Sequence, residues 1–429
     1  MSVRLIDTIA EFIPGDWGEE TATDDSPCAV SCIRGADIVP ICNSRFENIP
    51  VRYITMSSLK NRELREGDII IEKSGGSPTQ STGRTVFISK KLLDSKKHII
   101  CSNFCQAFRV KPEWNPLYVF YFLQLVYNSG VFFNFEGKTS GLRNLILDSA
   151  FKSINIRQIP LHEQEIVAHT LSLFDEKIAS CVAINDSLEA LACQLYDYWF
   201  IQFDFPNGNG TPYKSSGGRM IWNEKLKREI PEGWTDCSIK ALCDIKSGFP
   251  FKSDSYVETG RYRIVTIRNV QDHNLDLSST ECIDTIPDKL PDYCKLEIGD
   301  SLISLTGNVG RVCRVDSAGL LLNQRVGKIV DKTGSPEWVY SLFDDASVVK
   351  QILLLANGCA QANVSPIDIG NISICLPDLT SRQRFNQLLG EIRQHQINNN
   401  KEITQLSKER EDLLKLLING QVYVRPTNA

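Results

Sequence analysis

Strand-like runs come first along the chain. Val51–Ile54, Asp68–Ile71 and Thr85–Ile88 are short, rich in β-branched residues and bounded by turn formers, so each reads as a strand. Pro116–Asn128 reads as a helix with aromatics on several faces, and Ile154-Asn155-Ile156 as a strand that runs out at Ile159-Pro160. The period then changes. Val167, Leu171, Phe174, Ile178, Cys181, Asn185, Leu188, Ala192, Leu195 and Trp199 recur in steps of four and three, the a/d seam of a helix that supercoils with a partner. A helix of about forty residues measures about 60 Å and cannot bury such a stripe alone. The same alternation returns at Phe385, Leu389, Ile392, Gln396, Asn399, Ile403, Leu406, Arg410, Leu413 and Leu417. The two helices are therefore expected to pair antiparallel within the chain, with polar Gln396, Asn399 and Arg410 setting register or marking where the seam opens.

The chain repeats itself. Gly67-Asp68-Ile69-Ile70-Ile71 has a counterpart in Gly299-Asp300-Ser301-Leu302-Ile303, and Ile159-Pro160 one in Leu376-Pro377. Asn103 precedes Tyr118-Val119-Phe120 by the same interval that separates Asn323 from Trp338-Val339-Tyr340. A repeat of about 220 residues is too long for a solenoid and implies duplication of a whole domain plus helix. The predicted class is α+β: two duplicated mixed α/β modules separated by two long helices forming an antiparallel coiled coil. The boundaries are module one at 1–160, a long helix at 161–204, a linker at 205–229 rich in Gly, Asn and Ser, module two at 230–377 and a second long helix at 378–420.

Composition changes this picture little. The chain has 42% hydrophobic and 23% charged residues, as ordinary globular proteins do. It has neither an apolar stretch of membrane-spanning length nor a signal-peptide pattern, so a cytoplasmic protein is expected. Net charge is −5, which weakens a nucleic-acid reading without closing it, because binding depends on local patches. Residues 51–100 do carry ten basic against five acidic side chains, whereas 1–50 carry three against nine. The cysteine pairs Cys28/Cys32 and Cys101/Cys105 have C-x3-C spacing, for which zinc binding is conceivable but reduced buried thiols are the better reading. No metal site is assigned.

Catalytic signatures are hard to find. Gly137-Lys138-Thr139 imitates the end of a P-loop, but Phe132 stands where the first glycine belongs. Asp68 with Glu72-Lys73 imitates a nuclease site, yet acid and lysine fall on opposite strand faces. Binding chemistry is better represented. Lys73, Ser74, Gln80, Thr82 and Arg84 lie in or beside a Gly/Ser/Thr-rich loop, and Thr306, Asn308 and Arg311 occupy the equivalent place in module two. Lys246, Lys252, Arg268, Asn269, Gln324 and Arg325 complete the candidate set. Asn and Gln pair with adenine, Arg with guanine, and hydroxyls reach phosphates, so two such loops together point to DNA. Taken singly, each residue is as well explained as a solvated turn.

Several segments resemble the specificity subunits of type I restriction-modification systems. They are Tyr198-Trp199-Phe200-Ile201-Gln202-Phe203-Asp204-Phe205-Pro206, Gly210-Thr211-Pro212-Tyr213-Lys214-Ser215-Ser216-Gly217-Gly218 and Ile230-Pro231-Glu232-Gly233-Trp234, with Pro160-Leu161-His162-Glu163-Gln164 opening the first helix and Pro377, Arg382-Gln383 as its weaker echo. The resemblance implies a non-catalytic prokaryotic protein of phage defence whose two target-recognition domains each read half of a bipartite DNA sequence. It implies that the coiled coil sets half-site spacing and docks two methyltransferase subunits, through surfaces that include Leu171, Phe174, Ile178, Asn185, Leu188, Leu195 and Trp199 and Leu389, Ile392, Ile403, Leu406, Leu413 and Leu417. Motor/nuclease subunits complete such a complex. S-adenosylmethionine, ATP and Mg belong to the partner subunits, and none to this chain. Residues 1–50 match the opening of module two poorly, which implies an asymmetric target. Two other classes remain open at this point: a self-contained modification or restriction enzyme, for which no motif is found, and an RNA-binding or scaffold coiled-coil protein, which the acidic charge favours.

Overall fold

The computed structural model describes residues 2–75, 80–139, 142–277, 279–356 and 362–423. The chain divides into two compact units, Met1–Val182 with Glu402–Ala429, and Ala183–Lys401. Each unit takes one module and a part of each long helix.

In the first unit, one sheet has the order Ile9–Pro14, Cys105–Val110, Ile69–Glu72, Thr85–Phe87. A second has the order Val51–Ile54, Cys28–Ile33, Ile99–Cys101, the last two strands running parallel. Ser2–Arg4 pairs with Asn155–Arg157. The second unit repeats this plan. Its first sheet runs Cys243–Ser247, Val326–Asp331, Ser301–Ser304, Val312–Arg314. Its second runs Glu281–Ile283, Tyr262–Val265, Leu320–Leu322, Lys295–Leu296, with the parallel link again at the middle pair. Thr235–Ser238 pairs with Ser373–Leu376. The opening of the chain therefore matches module two in topology, although its sequence does not. Its strands are the counterparts of Thr235–Ser238, Cys243–Ser247 and Tyr262–Val265.

The isoleucine run explains itself in this setting. Ile69, Ile70 and Ile71 are all fully buried, and the pleat sends them alternately to opposite faces. Ile69 and Ile71 pack with Tyr118, Phe120 and Phe122 of the helix Pro116–Asn128, while Ile70 packs between the sheets with Ile33 and Ile99. Leu302 and Ile303 divide in the same way between two cores. The Gly-Asp pair before each strand is a turn. Gly67 and Gly299 take φ of 88° and 97°, where glycine has no side-chain penalty. Asp68 accepts from the Arg65 amide at 2.7 Å, and Asp300 from the Glu297 amide at 2.8 Å.

The long helices span Leu161–Tyr196 and Leu379–Ile418. The first is shorter than the expected 161–204, because one wide π turn at Asp197–Ile201 follows it and carries Trp199 and Phe200 into the core of the second unit. Pairing is antiparallel in each unit. In the first, Arg410 holds Asp175, and Lys177 meets Glu402 at 3.2 Å. In the second, Asn185 bonds Asn399 at 3.0 Å and Asn400 at 2.7 Å, and Glu189 is held by Arg393. Leu171 and Leu417 are buried in the core of the first unit, with Leu413 partly buried against it. Trp199, Phe385, Leu389 and Ile392 are buried in that of the second, and Leu188 and Leu195 pack partly against it. Phe174, Ile178, Ile403 and Leu406 are half-buried. Residues 205–229, expected as a linker, are ordered. Met220–Asn223 and Arg228–Pro231 form a hairpin, and Phe205 stacks between Tyr213 and Trp234, with ring centroids 4.7 and 4.8 Å away.

Candidate nucleic-acid interface

In the second unit, four chain segments meet at one rim of the sheets. The strand Cys243–Ser247 leaves at Gly248, whose amide donates to the Val326 carbonyl at 3.1 Å. Phe249 donates to Leu322 at 2.9 Å, and the Gln324 amide to Phe249 at 3.1 Å. Asn323 donates to Val265 at 3.1 Å, placing the 266–269 turn alongside, and Leu305 donates to Arg325 at 3.0 Å. This rim gathers Lys246, Arg268, Thr306, Asn308, Gln324 and Arg325 from separate parts of the sequence. Lys246, Lys252, Arg268, Asn308, Gln324 and Arg325 are exposed. Lys246 lies 5.2 Å above the Tyr293 ring. Arg268 pairs with Glu281 at 3.3 Å, and Thr306 donates to the Asn363 side chain at 2.9 Å.

Of the other predicted residues of this module, Asn269 is engaged inside it and Arg311 is tied to a surface turn. Asn269 is 1% exposed, and its side chain ties the Thr266 amide and hydroxyl to the carbonyls of Asp276 and Ser279. Arg311 is half-buried, bonding Gln271 at 2.5 Å and facing Asp272 at 3.6 Å. It stands at the edge of the 271–274 turn.

The equivalent rim of the first unit holds Lys73 and Ser74, whose amides both donate to the Phe104 carbonyl at 2.8 and 3.0 Å. The Ser74 hydroxyl meets the Asn144 side chain, in the place where Thr306 meets Asn363. Thr82 and Arg84 are committed to the fold. Thr82 is fully buried and bonds Glu136 through its amide and hydroxyl at 2.7 and 3.1 Å. Arg84 grips Glu72 with two hydrogen bonds of 2.9 and 2.6 Å, and Glu72 is 1% exposed. Gln80 is exposed. Part of the Gly/Ser loop, residues 76–79, lies outside the described residues.

Gly15 and Gly248 were not predicted to matter, and they mark equivalent points. A Cβ on Gly15 would stand 2.1 Å from the Ser102 carbonyl oxygen, and one on Gly248 2.3 Å from that of Leu322. In both modules the loop after the first sheet strand is pressed against the chain leaving the parallel strand. Their neighbours Asp16-Trp17 and Phe249-Pro250 therefore start the rim. Trp17 carries the Arg52 guanidinium 4.3 Å above its ring. The signal available in sequence was the glycine alone.

The catalytic imitations dissolve. Asp68 is paired with Arg109 at 2.8 Å and Glu72 with Arg84, so both acids are neutralised within the fold. Glu136–Thr139 pairs with Leu142–Leu145 as a hairpin, so no helix follows Gly137-Lys138-Thr139 to cradle phosphate. Cys28 turns toward Met56, while Cys32, Cys101 and Cys105 are buried. Burial pushes the Cys32 thiol up to about 12 and that of Cys105 to about 11, as apolar surroundings do to an inert thiol.

A polar cluster behind the second rim escaped the sequence reading. His273 places Nδ1 3.1 Å from Glu189 and Nε2 3.2 Å from Asp344. Glu189 also accepts from Arg393 and from Gln396, the latter at 3.1 Å, and Cys193 lies 3.3 Å from Asp344. Hydrogen bonds donated to Asp344 and Glu189 raise the His273 imidazolium to about 10. No periodicity or motif announces such a residue, because its partners are remote in sequence.

Comparisons with known proteins agree with this architecture. Residues 34–190 match the family model described as type I restriction modification DNA specificity domain. The MjaIX specificity subunit of a type I restriction enzyme from Methanocaldococcus jannaschii is 26% identical over 64% of this chain, which spans 62% of that relative's length. The MjaVIII specificity subunit from the same organism is 25% identical over 86% of this chain and 83% of its own. The crystal structure of a type I restriction-modification S subunit from M. genitalium superposes with a TM-score of 0.51 at 15% identity, covering 100% of this chain and 96% of that one. The fold is thus shared at low identity. The family model matches residues 34–190, and beyond them the chain is similar to specificity subunits of type I restriction enzymes.

Proposed function

We propose that this chain is the non-catalytic DNA-reading subunit of a type I restriction-modification complex. Each module reads one half of a bipartite target through its rim, and the two halves differ because the rims carry different side chains. The paired helices set the number of base pairs between the halves and offer docking surface to two methyltransferase subunits, with motor/nuclease subunits joining in the full assembly. S-adenosylmethionine, ATP and Mg are supplied there. We place the complex in the prokaryotic cytoplasm; among the described residues no helix is long and apolar enough to cross a membrane.

The observation that carries this reading is the duplicated rim. Two modules with the same strand order converge equivalent loops, one exposing Lys246, Asn308, Gln324 and Arg325, the other presenting half-buried Lys73 and Ser74 beside exposed Phe104. Cationic and amide side chains on exposed loops can position on phosphates and read base edges. The net charge of −5 leaves these local cations as the electrostatic footprint. Mapping methylated bases on DNA exposed to the chain with its methyltransferase partners tests the proposal. It predicts one two-part motif with a fixed gap; methylation spread over unrelated contexts would end it.

A further inference from the structure

The 271–274 turn of the second unit is held from two sides. Gln271 and Asn274 bond each other through their main chains at 3.0 and 3.4 Å. On the outer side Gln271 and Asp272 receive Arg311. On the inner side His273 reaches Glu189 of the first long helix and Asp344 beyond the helix Pro336–Leu342. The His273 amide also donates to the Val312 carbonyl at 2.9 Å, next to Arg311. Its φ is 58°, a left-handed conformation that few side-chain residues adopt and that histidine tolerates better than most.

Among the described residues the groups around the imidazole are Glu189 and Asp344, the Tyr340 hydroxyl at 3.4 Å, Arg393 behind Glu189 with Glu337 and Arg314 beyond it, and Cys193 beside Asp344. Donor atoms of Glu189, Cys193 and His273 lie within 4.8 Å of one another, close enough to suggest a metal. Electrostatics argues otherwise. Two carboxylates already face two cations, His273 and Arg393, so a divalent ion would enter a neutralised site beside a guanidinium. The cluster is a strut.

We propose that His273 is a positioning residue for DNA reading: it pins the 271–274 turn to the first long helix, and the pinned turn aims Arg311 at the half-site of module two. The inference rests on the reading under Proposed function and adds to it the residue that ties a reading side chain to the helix.

The test uses the full chain assembled with its methyltransferase partners and a randomised DNA library, scoring methylation base by base. His273→Gly is the informative variant, since glycine accepts φ of 58° and the turn keeps its backbone. Discrimination at the module-two half-site falls about tenfold, the scale of one side-chain contact to a base. The other half-site is unchanged. Arg311→Ala gives the same pattern, and the double variant is no worse than Arg311→Ala alone, because both changes remove one interaction. Intact discrimination in His273→Gly, equal loss in both halves, or additive losses would each overturn the proposal. A wild-type complex that shows no two-part motif would sink the functional reading itself. Nitrogen NMR of the unassembled wild-type chain tests the strut apart from that reading. An imidazole that keeps both N–H protons at pH 8.5 is required, and one that titrates at the ordinary value refutes it.

Discussion

Arg84 and Arg311 look alike in sequence, each an arginine closing a Gly-containing loop, and the structure gives them different work. Arg84 neutralises buried Glu72, and Arg311 stands half-buried at an exposed turn. Arg84→Ala strands a buried carboxylate and should cost about 3–5 kcal/mol, read as a lower thermal midpoint of the first unit. Arg311→Ala should leave melting nearly unchanged and alter only the base preference of module two. Such a distinction is invisible in the sequence, because burial of Glu72 follows from how the sheets close. Histidine 273 adds a pH signature. Its partners raise it above the ordinary value of about 6.5, so its stabilising contribution is complete below pH 6.5 and is lost as pH rises through about 10. Wild type should therefore lose more stability than His273→Gln between pH 7 and 10.5; parallel curves in thermal melts would contradict the strut.

Elements were more legible than residues. The helix at Pro116–Asn128 and the strand at Val51–Ile54 fall where periodicity put them, because each owes its existence to a local apolar pattern with clear turn formers. The first strands, Ser2–Arg4 and Ile9–Pro14, escaped notice. Glu11 and Phe12 face out of the second, so its alternation is blurred. The long helices were announced by their seams, and their bounds fall close to the expected ones except at the C-terminal end of the first, where a π turn and a hairpin are decided by packing around Trp199 and Trp234. Acidic residues on the first helix, Asp175 and Glu189, meet arginines on the second, Arg410 and Arg393. Leu389 is fully buried, and Leu389→Ala should cost about 2–5 kcal/mol in the second unit, measured by denaturant unfolding. Leu188→Asp should loosen the same helix pair by placing a third acid next to Glu189 and should weaken partner assembly; unchanged assembly on size-exclusion would argue against the seam.

At the scale of the molecule, duplication was the most readable property and the rims the least. A repeat survives as spacing between glycines, asparagines and prolines, whereas a rim is made by four loops whose convergence depends on strand order. The Gly15 and Gly248 pair shows how thin the signal is: one missing Cβ marks each place where two of those loops touch. Alanine at Gly248 should disturb reading by module two alone, and alanine at Gly15 reading by module one alone, each seen as relaxed preference in one half of the methylated motif. The central claim is that helix length, and no rim residue, sets the gap between half-sites. Removing one matched heptad from both long helices, within 182–188 and 397–403, tests it most directly. The account predicts the same two half-sequences with a shorter gap between them; an unchanged gap, or altered half-sequences at the old gap, would contradict it.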